Sequence, residues 1–187
     1  VRRHLPADDS APPESFAMKV LIDAHMLGAG ETGNETYIRG LLRGLLEVGA
    51  PQAVAVTSRG AALLESGHDI HILAGRSDIE RLLIELPRLA LDTGADLVHC
   101  TYVAPPRCPV PAVVTVHDFS FARHPEWFTL RDRAVLRAAV PYSARHAQAV
   151  MVPSEHARSE VVELVRVRRD IVYVTPEACG PEFHPLP

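Results

Sequence analysis

From Met18 onward, short apolar runs alternate with amphipathic helical patterns, and this alternation constrains the fold more than any other feature of the sequence. Residues 18–24 (MKVLIDA), 52–58 (QAVAVTS), 69–73, 96–100 (DLVHC), 112–117 (AVVTVH), 149–152 and 171–174 read as seven strands. Residues 18–24 in particular form a short apolar run of the kind that strands buried on both faces show. Between the first two, residues 33–49 carry Ile38, Leu41, Leu42 and Leu45 on one face, with Glu35, Arg39, Arg43 and Glu47 at four-residue steps on the other. Thr32 and Glu35 have the spacing of a capping box at the start of that helix. Further helices are expected from Ser77 to about residue 92 with a bend at Pro87, over 126–147 with a kink near Pro141, and from Ser154 to about 167. Strands alternating with helices require right-handed crossovers and a mainly parallel sheet covered on both faces. The fold class is therefore α/β, a Rossmann-like doubly wound domain over residues 18–175 with a sheet of about seven strands.

The flanks read differently. Residues 1–17 hold Pro6, Pro12, Pro13, Asp8, Asp9 and Glu14 and no apolar stretch, the composition of a disordered leader rather than a secretory signal. Residues 176–187 are too rich in proline to continue a strand or a helix. The three cysteines, Cys100, Cys108 and Cys179, lack C-x-x-C spacing, which argues against a zinc site or a disulfide framework and suits a reducing cytoplasm. A formal net charge of −4 offers no case for nucleic acid as a partner.

In doubly wound sheets, ligands collect at the carboxyl ends of the strands, so the loops at 25–34, 58–60, 101–110, 117–125, 153–156 and 175–180 are where chemistry is expected. Gly28, Gly30 and Gly33 spell G-x-G-x-x-G before a helix. Read literally this is a dinucleotide fingerprint. His25, Met26 and Leu27, however, separate the strand from the first glycine, and no acidic residue ends the second strand to take a ribose hydroxyl. Arg59 with Ser58 leaves an NADP reading open, and a loop using glycine for positive φ is the plain alternative. The reading preferred here is that backbone N–H groups at the helix start face an anion such as a sugar-nucleotide diphosphate.

His117 and Asp118 end the fifth strand at the ligand edge, where a histidine can bond a sugar hydroxyl or move a proton, and where both residues can equally be a strand end and a turn start. His99 near the end of strand four and His25 beyond strand one stand in similar positions. Ser154 is first of all a helix cap, with Glu155 beside it. Arg131, Arg133, Arg137 and Arg145 make the long helix locally basic, either as a solvated face or as an attraction to an anionic acceptor or to membrane headgroups.

Taken in order, GNETYIRGLLRGL (33–45), Leu86-Pro87 followed by GADLVHC (94–100), PAVVTVHDFSFARHPEWF (111–128), AVMVPSEHARSEV (149–161) and VYVTPEACGPEFHPLP (172–187) resemble the N-terminal half of family 4 of the retaining GT-B glycosyltransferases. The resemblance implies one half of a GT-B two-domain fold, with 176–187 as the hinge toward a C-terminal donor domain absent from this sequence. It implies hexosyl transfer to a glycan, lipid or small-molecule acceptor bound on this domain, from a UDP-, GDP- or ADP-sugar bound mainly on the other. The nucleotide sugar would be a co-substrate, with no other cofactor and no metal. His117 and Asp118 would be the catalytic pair, and Gly30, Thr32, Gly33 and Asn34 the loop facing donor diphosphate and acceptor. His99, Tyr102, His124, Ser154 and Glu155 would line the acceptor pocket. Glu177-Ala178 departs from the Asn-Gly-like hinge usual in the family, and the paired glutamates of the donor domain are missing. Expected with this are negligible transfer by the chain alone, a cytoplasmic location with contact at the membrane's cytoplasmic face, and dimerisation through the exposed cleft face. A stand-alone acceptor-binding module and an NADP-dependent oxidoreductase are the competing functions.

Overall fold

The computed structural model describes residues 18–180 apart from 31, 65, 66, 76 and 179. The expected leader at 1–17 and the end of the expected hinge at 181–187 lie outside the described residues, as does the side chain of Thr32 and with it the capping box.

All seven expected strands form. They are β1 (Val20–Asp23), β2 (Gln52–Val56), β3 (Asp69–Ile72), β4 (Leu97–Thr101), β5 (Ala112–Thr115), β6 (Ala149–Val152) and β7 (Val172–Val174). They build one sheet in the order β3-β2-β1-β4-β5-β6-β7, every pairing parallel. The order runs outward in both directions from the β1–β4 pair, where Val20, Leu21 and Ile22 stand in register with Leu97, Val98 and His99. That pair is the topological switch point, and the crevice it opens lies beyond Asp23 and Thr101.

Period-two alternation decides which helix covers which face. Ile22, Val54 and Val56 point to one side and pack with Ile38 and Leu42 of α1 (Thr32–Glu47), all essentially inaccessible to solvent. Leu21, Ala53 and Ala55 point to the other, where they join Leu86 and Ala90 and the larger core under β4–β7 built from Val98, Val114, Val150, Phe119, Val140 and Val161. Along α1 the expected charge support is present, with Arg39 donating to Glu35 at 3.0 Å one turn earlier.

The sequence did not announce α2 (Ser58–Ala61), a single turn capped by the Thr57 hydroxyl, in place of the expected loop. It is pressed onto the start of the crevice. A Cβ on Gly60 would stand 2.5 Å from Val56 Cγ2 and 2.7 Å from the Leu27 carbonyl oxygen, both fixed in the core. Gly60→Ala should therefore cost about 1–3 kcal/mol through overpacking. Gly40→Ala on the open face of α1, where an added Cβ meets nothing within 4 Å, should gain about 0.5–1 kcal/mol from helix propensity. Urea unfolding of the two variants should move the midpoint in opposite directions, and a shared direction would contradict this packing.

Helix α3 spans residues 78–92. It is α-helical over Asp78–Glu80, widens to π over Arg81–Glu85, and returns to α over Leu86–Asp92. Its Ser77 cap accepts from Glu80 N–H as expected. At Pro87, where a bend was expected, a π turn precedes the proline: Leu86 N–H reaches back to the Arg81 carbonyl, and Pro87 stands in the first turn of the closing α segment. After β5 come α4 (Ser120–Arg123), a 3₁₀ turn (Pro125–Trp127) and α5 (Leu130–His146). Thr129 caps α5 a few residues later than the sequence suggested, and Pro141 lies inside it. Helix α6 runs over residues 155–165, α-helical over Glu155–Glu160 and π over Val161–Val165, and ends on Arg166 at φ 60°. Among the described residues no helix is long and apolar enough to cross a membrane.

Candidate functional site

At the carboxyl end of β1, Asp23 interrupts an apolar strand and is 1% exposed. Its Oδ1 accepts from His25 Nδ1 at 2.9 Å and from the His25 backbone N–H at 3.3 Å, and its Oδ2 accepts from Arg81 Nη1. Arg81 also donates to Asp78 Oδ1 at 3.0 Å. Burial by itself would raise the Asp23 pKa, but the His25 hydrogen bond and the charges of His25 and Arg81 outweigh it and hold the carboxyl below its ordinary value. His25 is thus tied to the strand end.

The glycine loop follows. Gly28 and Gly30 sit at φ 75° and 82°, a conformation that favours glycine, and turn the chain into α1. Arg59 Nη1 donates to the Gly28 carbonyl at 3.2 Å. A Cβ on Gly33 would meet nothing within 4 Å, so this glycine does not make the close helix–strand contact that the third glycine of a dinucleotide fingerprint makes. Asn34 is half-buried in the first turn of α1.

Tyr37, one turn further along α1, reaches across the switch point. Its hydroxyl lies 2.8 Å from Thr115 Oγ1 at the end of β5. The same Thr115 oxygen is 2.8 Å from His99 Nε2 on β4. His99 is 5% exposed and lies beneath the surface, with its ring centroid 6.3 Å from that of Tyr37. Burial lowers its pKa to about 4, assisted by His117 and opposed by Asp23, so at neutral pH it is an uncharged support under the site. Burial also raises the Tyr37 pKa.

His117 follows β5 directly and is the centre of the cluster. Its ring packs edgewise against Tyr37 at 4.7 Å and against Tyr102 at 5.6 Å. Its Nδ1 is 2.8 Å from Glu177 Oε1, and its Nε2 is buried and without a hydrogen-bond partner among the described residues. Tyr102 holds its ring there from a backbone at φ 60°, a left-handed conformation that a residue with a Cβ rarely adopts. Three of the sequence-derived candidates, His117, His99 and Tyr102, are therefore brought together.

The other candidates stand apart. Asp118 is exposed and accepts from Ser120 N–H at 2.7 Å, opening α4. His124 stacks on Trp127 at 4.2 Å and lies 3.2 Å from Glu126. Ser154 caps α6 through Ala157 N–H, and Glu155 pairs with Arg158 at 2.8 Å and Arg169 at 3.4 Å. Sequence reasoning missed Tyr37, Thr115, Asp23 and Arg81. Only Asp23 carried a local signal, a carboxylate inside VLIDA.

The family model described as Glycosyltransferase Family 4 matches residues 32–179. Among solved structures, a glycosyltransferase from Rickettsia africae ESF-5 is similar with a TM-score of 0.52 at 12% identity, covering 89% of this chain and 47% of that one. UDP-GlcNAc 2-epimerase from Methanocaldococcus jannaschii is similar with a TM-score of 0.53 at 12% identity, covering 84% of this chain and 44% of that one. At such identity the likeness concerns the fold, and this chain spans slightly under half the length of either structure. No curated protein sequence matches.

Proposed function

The chain belongs to glycosyltransferase family 4, and from that premise we propose that it is the acceptor-side half of a retaining, metal-independent glycosyltransferase whose nucleotide-sugar donor is held by sequence outside this chain. The observation that carries this reading is the cluster at the switch point. His117 stands just after β5 with its ring against Tyr37 of α1 and against Tyr102. Aromatic walls with one titratable nitrogen suit a sugar, which offers an apolar ring face and a rim of hydroxyls. The backbone N–H groups at the α1 start suit the diphosphate of the donor.

In this reading the rigid parts come first. Neutral His99 and Thr115 hold the Tyr37 hydroxyl, so the wall of the acceptor site is set before substrate arrives. His117 bonds a hydroxyl of the transferred sugar or of the acceptor. Transfer requires both substrates to be held together with water excluded, and one wall cannot do this alone. The chain by itself should therefore show negligible turnover. The glycine geometry favours this reading over an NADP-dependent oxidoreductase, because Arg59 is engaged with the Gly28 carbonyl and Gly33 makes no close packing contact.

Thermal unfolding with UDP-, GDP- and ADP-sugars, NADP and a panel of glycosyl acceptors tests it. An acceptor at 100 times its dissociation constant should stabilise the chain by about 2.7 kcal/mol, while free nucleotides should do little. A strong response to NADP alone, or robust transfer by the isolated chain, would overturn the proposal.

A further inference from the structure

His117 has two ring nitrogens, and the structure closes both, by different means. On the Nε2 side the atom is buried and has no hydrogen-bond partner among the described residues. The walls there are tied to the sheet. Tyr37 is anchored through Thr115 to His99, and Tyr102, on a left-handed backbone just after β4, donates its N–H to the Thr115 carbonyl at 2.8 Å. On the Nδ1 side the closure is one carboxylate. Glu177 lies on the coil after β7, is 43% exposed, and places Oε1 2.8 Å from Nδ1.

The chemistry of that contact sets the tautomer. A carboxylate accepts hydrogen bonds, so Nδ1 carries the proton and the lone pair of the neutral ring is on buried Nε2. A substrate hydroxyl then has two routes to His117. It can open the Tyr37–Tyr102 side against a hydrogen-bonded chain and a fixed backbone, or it can displace one half-exposed side chain from a coil. The second route is far easier. From this, and resting on the reading of His117 given above, we propose that Glu177 is a displaceable cover on His117: it occupies the position of a sugar hydroxyl, and substrate binds by taking its place at Nδ1. Release of Glu177 also frees the proton of Nδ1 to move to Nε2, which turns Nδ1 from a donor into an acceptor for that hydroxyl. Because Glu177 belongs to the segment leaving β7, any movement of that segment relative to β5 opens or closes the site.

Diethyl pyrocarbonate tests the cover without any sugar. It acylates an accessible imidazole nitrogen that carries a lone pair, and mapping the modified peptides by mass spectrometry gives a rate for each histidine of the intact chain. His156, 84% exposed, and His124, 50% exposed, serve as internal references. His117 should react at least about tenfold more slowly than both, the factor expected for a charge-assisted hydrogen bond that must first break. Glu177→Ala should remove most of that protection, whereas Glu177→Gln, which still reaches Nδ1 but with a neutral amide, should give an intermediate rate. Fast reaction of His117 in the unaltered chain would overturn the cover. So would acceleration by Tyr102→Ala but not by Glu177→Ala, which would place the entry on the Nε2 side. Glu177 is exposed and outside the core, so unchanged unfolding midpoints confirm that the rates report access. Protected His117 in a chain that answers no acceptor would remove the glycosyl-transfer reading and leave the cover standing.

Discussion

Replacing Arg81 with methionine should lower the unfolding free energy by roughly 3–5 kcal/mol at pH 7, the range seen when one partner of a buried ion pair is removed. Arg81 and Asp23 are 8% and 1% exposed, and their hydrogen bond joins α3 to the end of β1, 58 residues apart in sequence. Without the guanidinium, the Asp23 carboxylate keeps only His25 among the described residues and stays shut away from water. Asp78 also loses its bond, but its side chain is 78% exposed and water replaces the arginine at little cost. The pH dependence gives the sign. In the native chain the Asp23 pKa is depressed below its ordinary 3.8, so its contribution is fully present above that value and is lost as pH falls through the folded pKa. In Arg81→Met the depression shrinks or reverses, burial being the largest opposing cause, and the deficit should narrow toward acid pH as the carboxyl takes up a proton. Urea unfolding at pH 7 and near pH 4 measures both. The double variant Asp23→Asn/Arg81→Met should recover much of the loss, because no buried charge is then left alone. A loss below about 1 kcal/mol for Arg81→Met would mean that the pair is solvated, as surface pairs are.

The same pair shows where sequence reading ends. The central strands were legible because a strand buried on both faces is a continuous apolar run, and QAVAV at 52–56 is buried at every position; the edge strand β3, DIHI, is largely exposed and was legible from its alternation and its place in the β/α rhythm. Ser77 and Ser154 were legible as caps because a cap acts within four residues of itself. The α2 turn after β2 was not, since four residues are too few to show a period. The π turn before Pro87 was not either, because a proline in a helical pattern signals a break and says nothing of a wider turn that absorbs it. At the site, His117 could be found from its place at a strand end. Its neighbours could not. Tyr37 and Thr115 are 78 residues apart, and nothing in the sequence near either points to the other. Tyr37 reads as one more residue of an amphipathic helix until the sheet order sets α1 beside β5. His99 and His117 look alike in sequence, both at strand ends, yet burial makes one a support and leaves the other at the crevice.

That difference has a measurable consequence for His99. Its pKa is about 4 in the folded chain against an ordinary 6.5, burial being the principal cause. As pH falls, the unfolded chain therefore binds this proton first, and protonation favours unfolding. Stability from the neutral ring is fully present above pH 6.5, declines between 6.5 and about 4, and levels off below. At about 1.4 kcal/mol per pH unit, the whole decline amounts to roughly 3 kcal/mol, a figure in which the opposing pull of the Asp23 carboxylate, which favours the charged ring, is already included. Asp23 itself does not confuse the measurement, since its contribution is lost only below its ordinary 3.8. Urea unfolding of the native chain and of His99→Gln at pH 7 and pH 4.5 isolates the histidine. His99→Gln can still bond the Thr115 hydroxyl but has no proton to gain, so this variant should lose most of the dependence across that interval. An equal slope in His99→Gln and in the native chain would assign the acid sensitivity to another group and remove His99 as the uncharged support beneath Tyr37. A flattened slope would mean that acid attacks the fold at the same hydrogen-bonded chain that holds the acceptor wall. Loss of that wall should then precede global unfolding as pH falls, read as quenched Tyr37 contacts to His117 in aromatic proton spectra before the backbone signals collapse.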